Sequence, residues 1–461
     1  MGKTVASDFY ADPRIQQAKE LLKSVVADHS KKITGVKAAD PELKKSFDEQ
    51  LKEFGQNRGG ALYYPYLGSG IGNGALVELE DGSVKYDFIT GIGVHYFGHS
   101  HPTVIGAQVE AAVANTTMNG HLQQNSDSAK LVKFLLQQAN KNGAQLAHCF
   151  LTSSGAMANE NALKICFQKR APANRVLAFS KNFSGRTLAI AQITDKAAYR
   201  QGLPDTLKVD YLPFYCEGNH ENSIETTTKI LQELIYRYPG QHSCMIIEPI
   251  QGEAGSWVGN KEFFAKICEI LKKNNISIFV DEVQTFGRTS ELFAFQYFGL
   301  DQYADVVTIG KMSQVCATLF KEDHKPKPGL ISQTFTSSSS AIRSGYAILS
   351  EMVENGYLGE NGKINKMGNY FRNKLQELNK KYPGKIDGPY GVGAMIAMTL
   401  FKGDEEKNKK FTFKFYENGV LSFSAGGNPT RIRMLMPVGA VTEKDIDNVT
   451  AILEKTINEI E

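Results

Sequence analysis

The chain has 461 residues, 42% hydrophobic and 22% charged, with 52 basic against 49 acidic side chains and a net charge of +3. That length points to two or three domains, and the composition excludes collagen-like, disordered and disulfide-scaffold classes. A charge so nearly balanced gives no reason to expect nucleic acid, which calls for clustered basic surface.

The first sixty residues read as charged amphipathic helix, with Ile15, Ala18, Leu21, Leu22 and Val25 at helical spacing. A polar N-terminus lacks the apolar stretch of a signal peptide, and no run nears the ~20 apolar residues of a membrane span, so a soluble, cytoplasmic protein is expected. A glycine-dense stretch, Gly68 to Gly74, precedes a strand, a turn at Asp81-Gly82 and a second strand. Because a strand follows those glycines, they do not make a dinucleotide-binding turn.

From about residue 100 to 320, short apolar runs alternate with helical segments. The runs are Cys149–Leu151, Val176–Phe179, Cys244–Ile247, Ile276–Val280 and Val306–Ile309. This alternation predicts an α/β fold with a mainly parallel sheet, whose ligands bind beyond the carboxyl ends of the strands. A long helix is expected from Ala347 to about Lys381, then Gly/Pro-punctuated strands and a closing helix from Thr442 to Glu461. The six cysteines contain no C-x-x-C pair and several lie in apolar runs, so buried reduced thiols are expected.

Three polar residues follow apolar runs directly: Glu248, Asp281 and, after one glycine, Lys311. They could share one site, or be a structural ion pair and solvated loop charges. Ser153-Ser154-Gly155-Ala156 opens a helix directly after a strand. Free N–H groups there make a phosphate cradle, and ordinary N-capping is the alternative. His95, His99 and His101 sit in a turn with no nearby Cys or carboxylate, so no metal is expected. Neither a nucleophile elbow nor a Walker loop is present.

Taken together, eight segments in register resemble the class III aminotransferases (the ornithine, 4-aminobutyrate and lysine 6-aminotransferase-like group), which are pyridoxal 5′-phosphate enzymes of fold type I. They are Gly98–Pro102, Ser154–Ala156, Phe183–Arg186, Ile247–Glu253, Asp281–Gln284, Lys311, Thr334-Phe335 and Arg433. The resemblance runs from about residue 60 to 450. It implies an N-terminal helical segment (1–60), a strand part of a small domain (61–95), a large cofactor-binding α/β domain (96–345) and a small α+β domain (346–461).

The resemblance also implies roles. Lys311 would form the Schiff base with the cofactor aldehyde and shuttle the proton. Asp281 would keep the pyridine nitrogen protonated, and Gln284 would bond the phenolic oxygen. Val283 and Phe183 would cover the two ring faces. Ser154, Gly155 and Ala156 would hold the phosphate, and Glu248 would be a further cofactor-binding residue. Thr334 would reach the phosphate of a neighbouring subunit's cofactor, making a homodimer with shared sites. Arg186 and Arg433 would read substrate carboxylates, Glu253 masking Arg433 while the donor is bound; Arg431 is a competitor placed on the opposite strand face.

The expected reaction moves an ω-amine from a lysine-, ornithine- or 4-aminobutyrate-like donor to a 2-oxoacid, 2-oxoglutarate, by a ping-pong route. An aminomutase or racemase on the same scaffold is the alternative, and a non-catalytic paralogue a third reading. Departures from the family pattern fall at Ser184, Phe286, Met312–Cys316 and Thr336–Ser338, and they bear on the pocket wall.

Overall fold

The structure, a computed structural model, describes residues 4–460. Its centre is a seven-stranded sheet: β1 (Leu146–Thr152), β2 (Arg175–Phe179), β3 (Lys208–Leu212), β4 (His242–Ile247), β5 (Ser277–Glu282), β6 (Val306–Ile309) and β7 (Cys316–Lys321). The spatial order is β1-β7-β6-β5-β4-β2-β3, and only β7 runs antiparallel to its neighbours. Every residue of β4, β5 and β6 is buried. Such burial on both faces is why these strands read as unbroken apolar runs.

Side chains alternate between two separate cores. Val176, Ala178, Cys244, Ile246 and Phe279 join one, while Leu177, Phe179, Met245, Ile247, Ile278 and Val280 join the other. The helix Gly155–Arg170 supplies Ala162, Leu163, Ile165 and Cys166 to the first. The helix Lys261–Lys273 supplies Phe263, Phe264, Ile267, Cys268 and Leu271 to the second. Each of these large apolar side chains contributes about 1.5–3 kcal/mol by burial, so the two helix faces clamp the sheet from both sides.

Two smaller sheets flank this layer. Gly68–Asn73, Leu76–Leu79 and Val84–Asp87 form an antiparallel meander, and Val420–Leu421 adds to Val84–Asp87 in parallel, so distant chain segments share a sheet. Ile386–Tyr390, Ile396–Leu400, Thr430–Met434 and Phe423–Gly426 make an antiparallel sheet in that order. The closing helix is Glu443–Glu459, begun by a capping box between Thr442 and Asp445.

Several expectations change. The N-terminal sixty residues form three helices, Val5–Ala11, Pro13–Ser30 and Pro41–Asn57; Asp12 and Asp40 cap the second and third, each followed by Pro. Pro13–Ser30 packs through Ile15, Lys19 and Val26, leaving Leu21, Leu22 and Val25 exposed. The long helix expected from Ala347 to Lys381 is two, Ser339–Glu354 and Lys363–Lys381, because Gly356 and Gly359 take positive φ in the connection. Two strands gave no clear signal: β3, a half-exposed edge, and β7, which follows β6 after only six residues. Of the cysteines, Cys216 is exposed. No helix among the described residues is long and apolar enough to cross a membrane.

Candidate active site

The carboxyl ends of β1, β4, β5 and β6 surround a cavity of about 450 Å³. Gly155, Ala156, Asn159, Phe183, Ser184, Arg186, Glu248, Asp281, Val283, Gln284, Lys311 and Gln314 line it. One sheet edge thus collects residues spread over 160 positions of chain. Lys311 lies in the six-residue reversal joining β6 to antiparallel β7, held at φ +56°, with Gln314 at φ +61° closing the turn onto the Lys311 carbonyl at 3.0 Å. For residues other than glycine such φ values store strain. The Gln314 amide donates to the Val94 carbonyl at 2.9 Å, tying this turn to the segment across the cavity.

Asp281 forms the floor and is 4% exposed. Its carboxylate accepts from Asn159 Nδ2 at 2.7 Å and from the Val283 N–H at 3.0 Å. Asn159 also donates to the Ser184 carbonyl at 2.8 Å, and its oxygen accepts the Thr308 hydroxyl at 2.7 Å. Burial pushes the Asp281 carboxyl up to about 6, with these hydrogen bonds opposing the rise. Glu248 is pushed well above the usual carboxylate range by burial and by Asp281; its Oε1 accepts the Phe183 N–H at 2.8 Å. Burial, then the Arg433 charge, lowers Lys311 below an ordinary lysine.

The helix Gly155–Arg170 starts at Ser154, whose hydroxyl accepts from the Met157 N–H at 3.3 Å. Its first-turn N–H groups at Gly155 and Ala156 have no carbonyl one turn back to bond. A Cβ on Gly155 would lie 2.6 Å from Val283 Cγ1, so only glycine lets the helix start this close to β5.

Arg433, on Thr430–Met434, is fully buried and donates to Glu253 at 3.0 Å and to the Gln284 amide oxygen at 2.9 Å. Its competitor Arg431 does not lie on the opposite face. Residues two apart share a strand face, and Arg431 reaches the same 252–257 loop, bonding the Gly255 carbonyl at 2.8 Å between the rings of Trp257 and Tyr390. Arg186 is exposed and lies over the Tyr199 ring at 3.8 Å. Thr334 is exposed and outside this cavity. His99 does have a carboxylate, Asp87, at 3.0 Å, and the described residues hold no group of three metal-capable side chains.

Residues 69–457 match the family described as aminotransferase class-III. The chain belongs to the class III aminotransferases. It is therefore an aminotransferase dependent on pyridoxal 5′-phosphate. It is 29% identical over 403 residues to the acetylornithine aminotransferase of Caldanaerobacter subterraneus, covering 84% of this chain and 94% of that one. It is 28% identical to the [LysW]-aminoadipate semialdehyde transaminase of Deinococcus radiodurans, covering 84% and 85%. The fold matches the lysine aminotransferase of M. tuberculosis with a TM-score of 0.80 at 22% identity, over 90% of this chain and 99% of that one. For the ornithine aminotransferase of Toxoplasma gondii the TM-score is 0.75, again at 22% identity, over 90% and 98%.

This aminotransferase offers a berth that fits the cofactor's chemistry. Asp281 is a buried carboxylate whose partners are neutral N–H donors, an arrangement that is costly until a cation joins it. A protonated ring nitrogen is such a cation. Free N–H groups at a helix start suit the phosphate, and Lys311, in the turn just after β6, suits the aldehyde. Asn159 and Thr308 were not singled out as functional from sequence. Asn159 lies four residues after Gly155, hence on the same helix face, and Thr308 is the one polar residue in Val-Val-Thr-Ile.

Proposed function

We propose that the protein transfers the ω-amine of a lysine-, ornithine- or 4-aminobutyrate-like donor to 2-oxoglutarate in two alternating half-reactions. The observation that carries this reading is the pair Arg433–Glu253 beside Gln284. A fully buried guanidinium whose carboxylate partner is 19% exposed can exchange that partner for a substrate carboxylate. With Glu253 in place the arginine is masked for the donor; with Glu253 displaced it offers two parallel N–H groups to the acceptor's α-carboxylate.

Pyridoxal phosphate, when bound, supplies an aldehyde that condenses with amines and a ring that accepts the electron pair released at the substrate carbon. Lys311, made less basic by burial beside Arg433, is the residue that takes and returns the proton at that carbon. Asp281 holds the ring nitrogen's proton, positioned by Asn159. Gln284 meets the phenolic oxygen, and Val283 and Phe183 meet the ring faces. Ser154, Gly155 and Ala156 receive the phosphate. Arg186, held over Tyr199, reads a second substrate carboxylate.

The protein acts as a homodimer in this proposal, Thr334 completing the phosphate site of the second copy. Its support is an exposed strip where Thr334 meets Gly120: Met118, Leu122 and Phe335 are 57%, 93% and 42% exposed. Among the relatives' names, acetylornithine and aminoadipate semialdehyde both place the reacting group at the chain's far end, as the donor class here requires.

The test mixes the holoenzyme with single ω-amino donors and no oxoacid, following the cofactor's absorbance. One equivalent of cofactor should convert and then stop until 2-oxoglutarate is added. Continued product formation without any oxoacid would overturn the transferase reading.

A further inference from the structure

The strand Val84–Asp87 runs into a turn that few sequences adopt. Thr90, Gly91, Ile92 and Gly93 take φ of 53°, 64°, 60° and 84°, four left-handed residues in a row. Thr90 and Ile92 are β-branched, for which that region is strongly disfavoured. Such a turn persists only where its surroundings over-determine it, and here they do. The Asp87 carboxylate accepts from the Thr90 N–H at 2.6 Å and the Ile89 N–H at 3.2 Å, and its second oxygen meets His99 Nε2 at 3.0 Å. The Thr90 hydroxyl donates to the Leu435 carbonyl at 2.9 Å. Buried Arg288 donates to the Gly93 carbonyl at 2.8 Å and to the Met436 carbonyl at 3.3 Å. Burial alone would raise the Asp87 carboxyl, but the bonds from His99 and Thr90 outweigh it and hold the group below the usual carboxylate range. An ionised acceptor makes both N–H bonds charge-assisted.

The turn leads to the lysine. The Thr90 carbonyl accepts the Val94 N–H at 2.7 Å, and the Val94 carbonyl accepts the Gln314 side-chain amide at 2.9 Å. The Gln314 N–H then returns to the Lys311 carbonyl at 3.0 Å. An unbroken run of hydrogen bonds therefore joins Asp87 to Lys311 across distant segments of the chain. Lys311 and Gln314 are themselves left-handed, so the reversal that carries the amine depends on what braces it. On its far side the Ser313 carbonyl rests against Gly345 of the helix Ser339–Glu354, where no Cβ would fit.

We infer that Asp87, with His99, is a positioning residue for Lys311: through the left-handed turn and Gln314 it sets where the lysine amine stands. The inference rests on the reading of Lys311 as the residue that condenses with the cofactor aldehyde. In that condensation the lysine nitrogen forms a double bond to the aldehyde carbon, and the aldehyde oxygen leaves as water with the two amine hydrogens. Its rate depends on the amine being held within reach of that carbon.

The test separates holding the cofactor from presenting the lysine. The full-length protein, freed of cofactor, is mixed with pyridoxal 5′-phosphate and quenched at intervals with borohydride, and mass spectrometry counts the cofactor fixed on Lys311. Affinity is measured in parallel for 4′-deoxypyridoxine 5′-phosphate, which has the ring and the phosphate but no aldehyde. Gln314→Gly keeps a left-handed backbone and removes the tether; it should slow fixation about tenfold. Asp87→Asn, at a residue outside the cavity lining, should slow it about fivefold. Both variants should bind the deoxy compound within about twofold of the parent. The double variant should be no slower than about tenfold, because both changes cut one chain. Should Asp87→Asn not fold, His99→Gln takes its place in the cycle. Effects that multiply, unchanged rates in either single variant, or affinities that fall in step with the rates would overturn the inference. Cofactor fixed to the same extent in Lys311→Ala would instead sink the reading of Lys311 itself.

Discussion

The floor and the wall of the cavity are built on opposite plans. On the floor, Asp281, Asn159, Thr308 and Glu248 are buried and their hydrogen bonds are closed among themselves and the backbone. On the wall, Arg433 is paired to the partly exposed carboxylate of Glu253, and Arg186 lies over the Tyr199 ring with no carboxylate in ion-pairing distance among the described residues. The difference separates what stays from what comes and goes. A resident cofactor rewards a floor organised before it arrives, because reorganisation then costs nothing during reaction. Substrates of two kinds must both fit one wall, which therefore keeps cations whose partners can be replaced.

The largest break in this contrast is Asp281→Ala. It removes the buried anion from the floor, and turnover should fall about 10³-fold, near 4 kcal/mol. The pH dependence follows with a definite sign. Below about 6 the Asp281 carboxyl of the empty site is protonated and cannot pair with a ring cation; above that it is ionised. Cofactor affinity should rise with pH up to about 6 and level off, measured as absorbance retained after gel filtration, and Asp281→Asn should show no such rise. Arg433→Ala breaks the wall instead: the oxoacid half-reaction should slow about 10²-fold, for the ~3 kcal/mol of a charge-assisted bond, and the amine half-reaction far less. Equal slowing in both would put Arg433 in the floor class.

Asn159→Ala sharpens the contrast from the floor side. Losing one hydrogen bond to the carboxylate should cost about tenfold in turnover and move the pH midpoint of cofactor retention upward, since that bond favours the ionised form. The smallest effect belongs to Glu248→Gln. Burial already pushes this carboxyl well above the usual carboxylate range, and an amide oxygen still accepts the Phe183 N–H, so activity should stay within about threefold, whereas Glu248→Ala leaves that N–H unpaired.

Sequence made the floor legible because its residues follow buried strands. Apolar runs announce where β4, β5 and β6 end, and the next polar side chain faces the ligand. Asn159 and Thr308 escaped notice because an amide in a helix and a threonine in a strand are locally unremarkable; only folding brings them to Asp281. The wall was legible only through family motifs for Arg186, Glu253 and Arg433. The helix break at Gly356 and Gly359 was missed because the apolar spacing continues across it.

The contact between Gly155 and Val283 works as a gauge. The helix start proposed to receive a phosphate and the strand end proposed to partner a ring nitrogen meet where the Gly155 hydrogen faces the Val283 side chain, in place of a methyl. Their separation is therefore set by the Gly155 backbone lying against the Val283 side chain, with no room for a methyl group between them. A substitution at Gly155 would leave every charged group in the site intact and still spoil it, by lengthening a berth that must fit both ends of one rigid molecule.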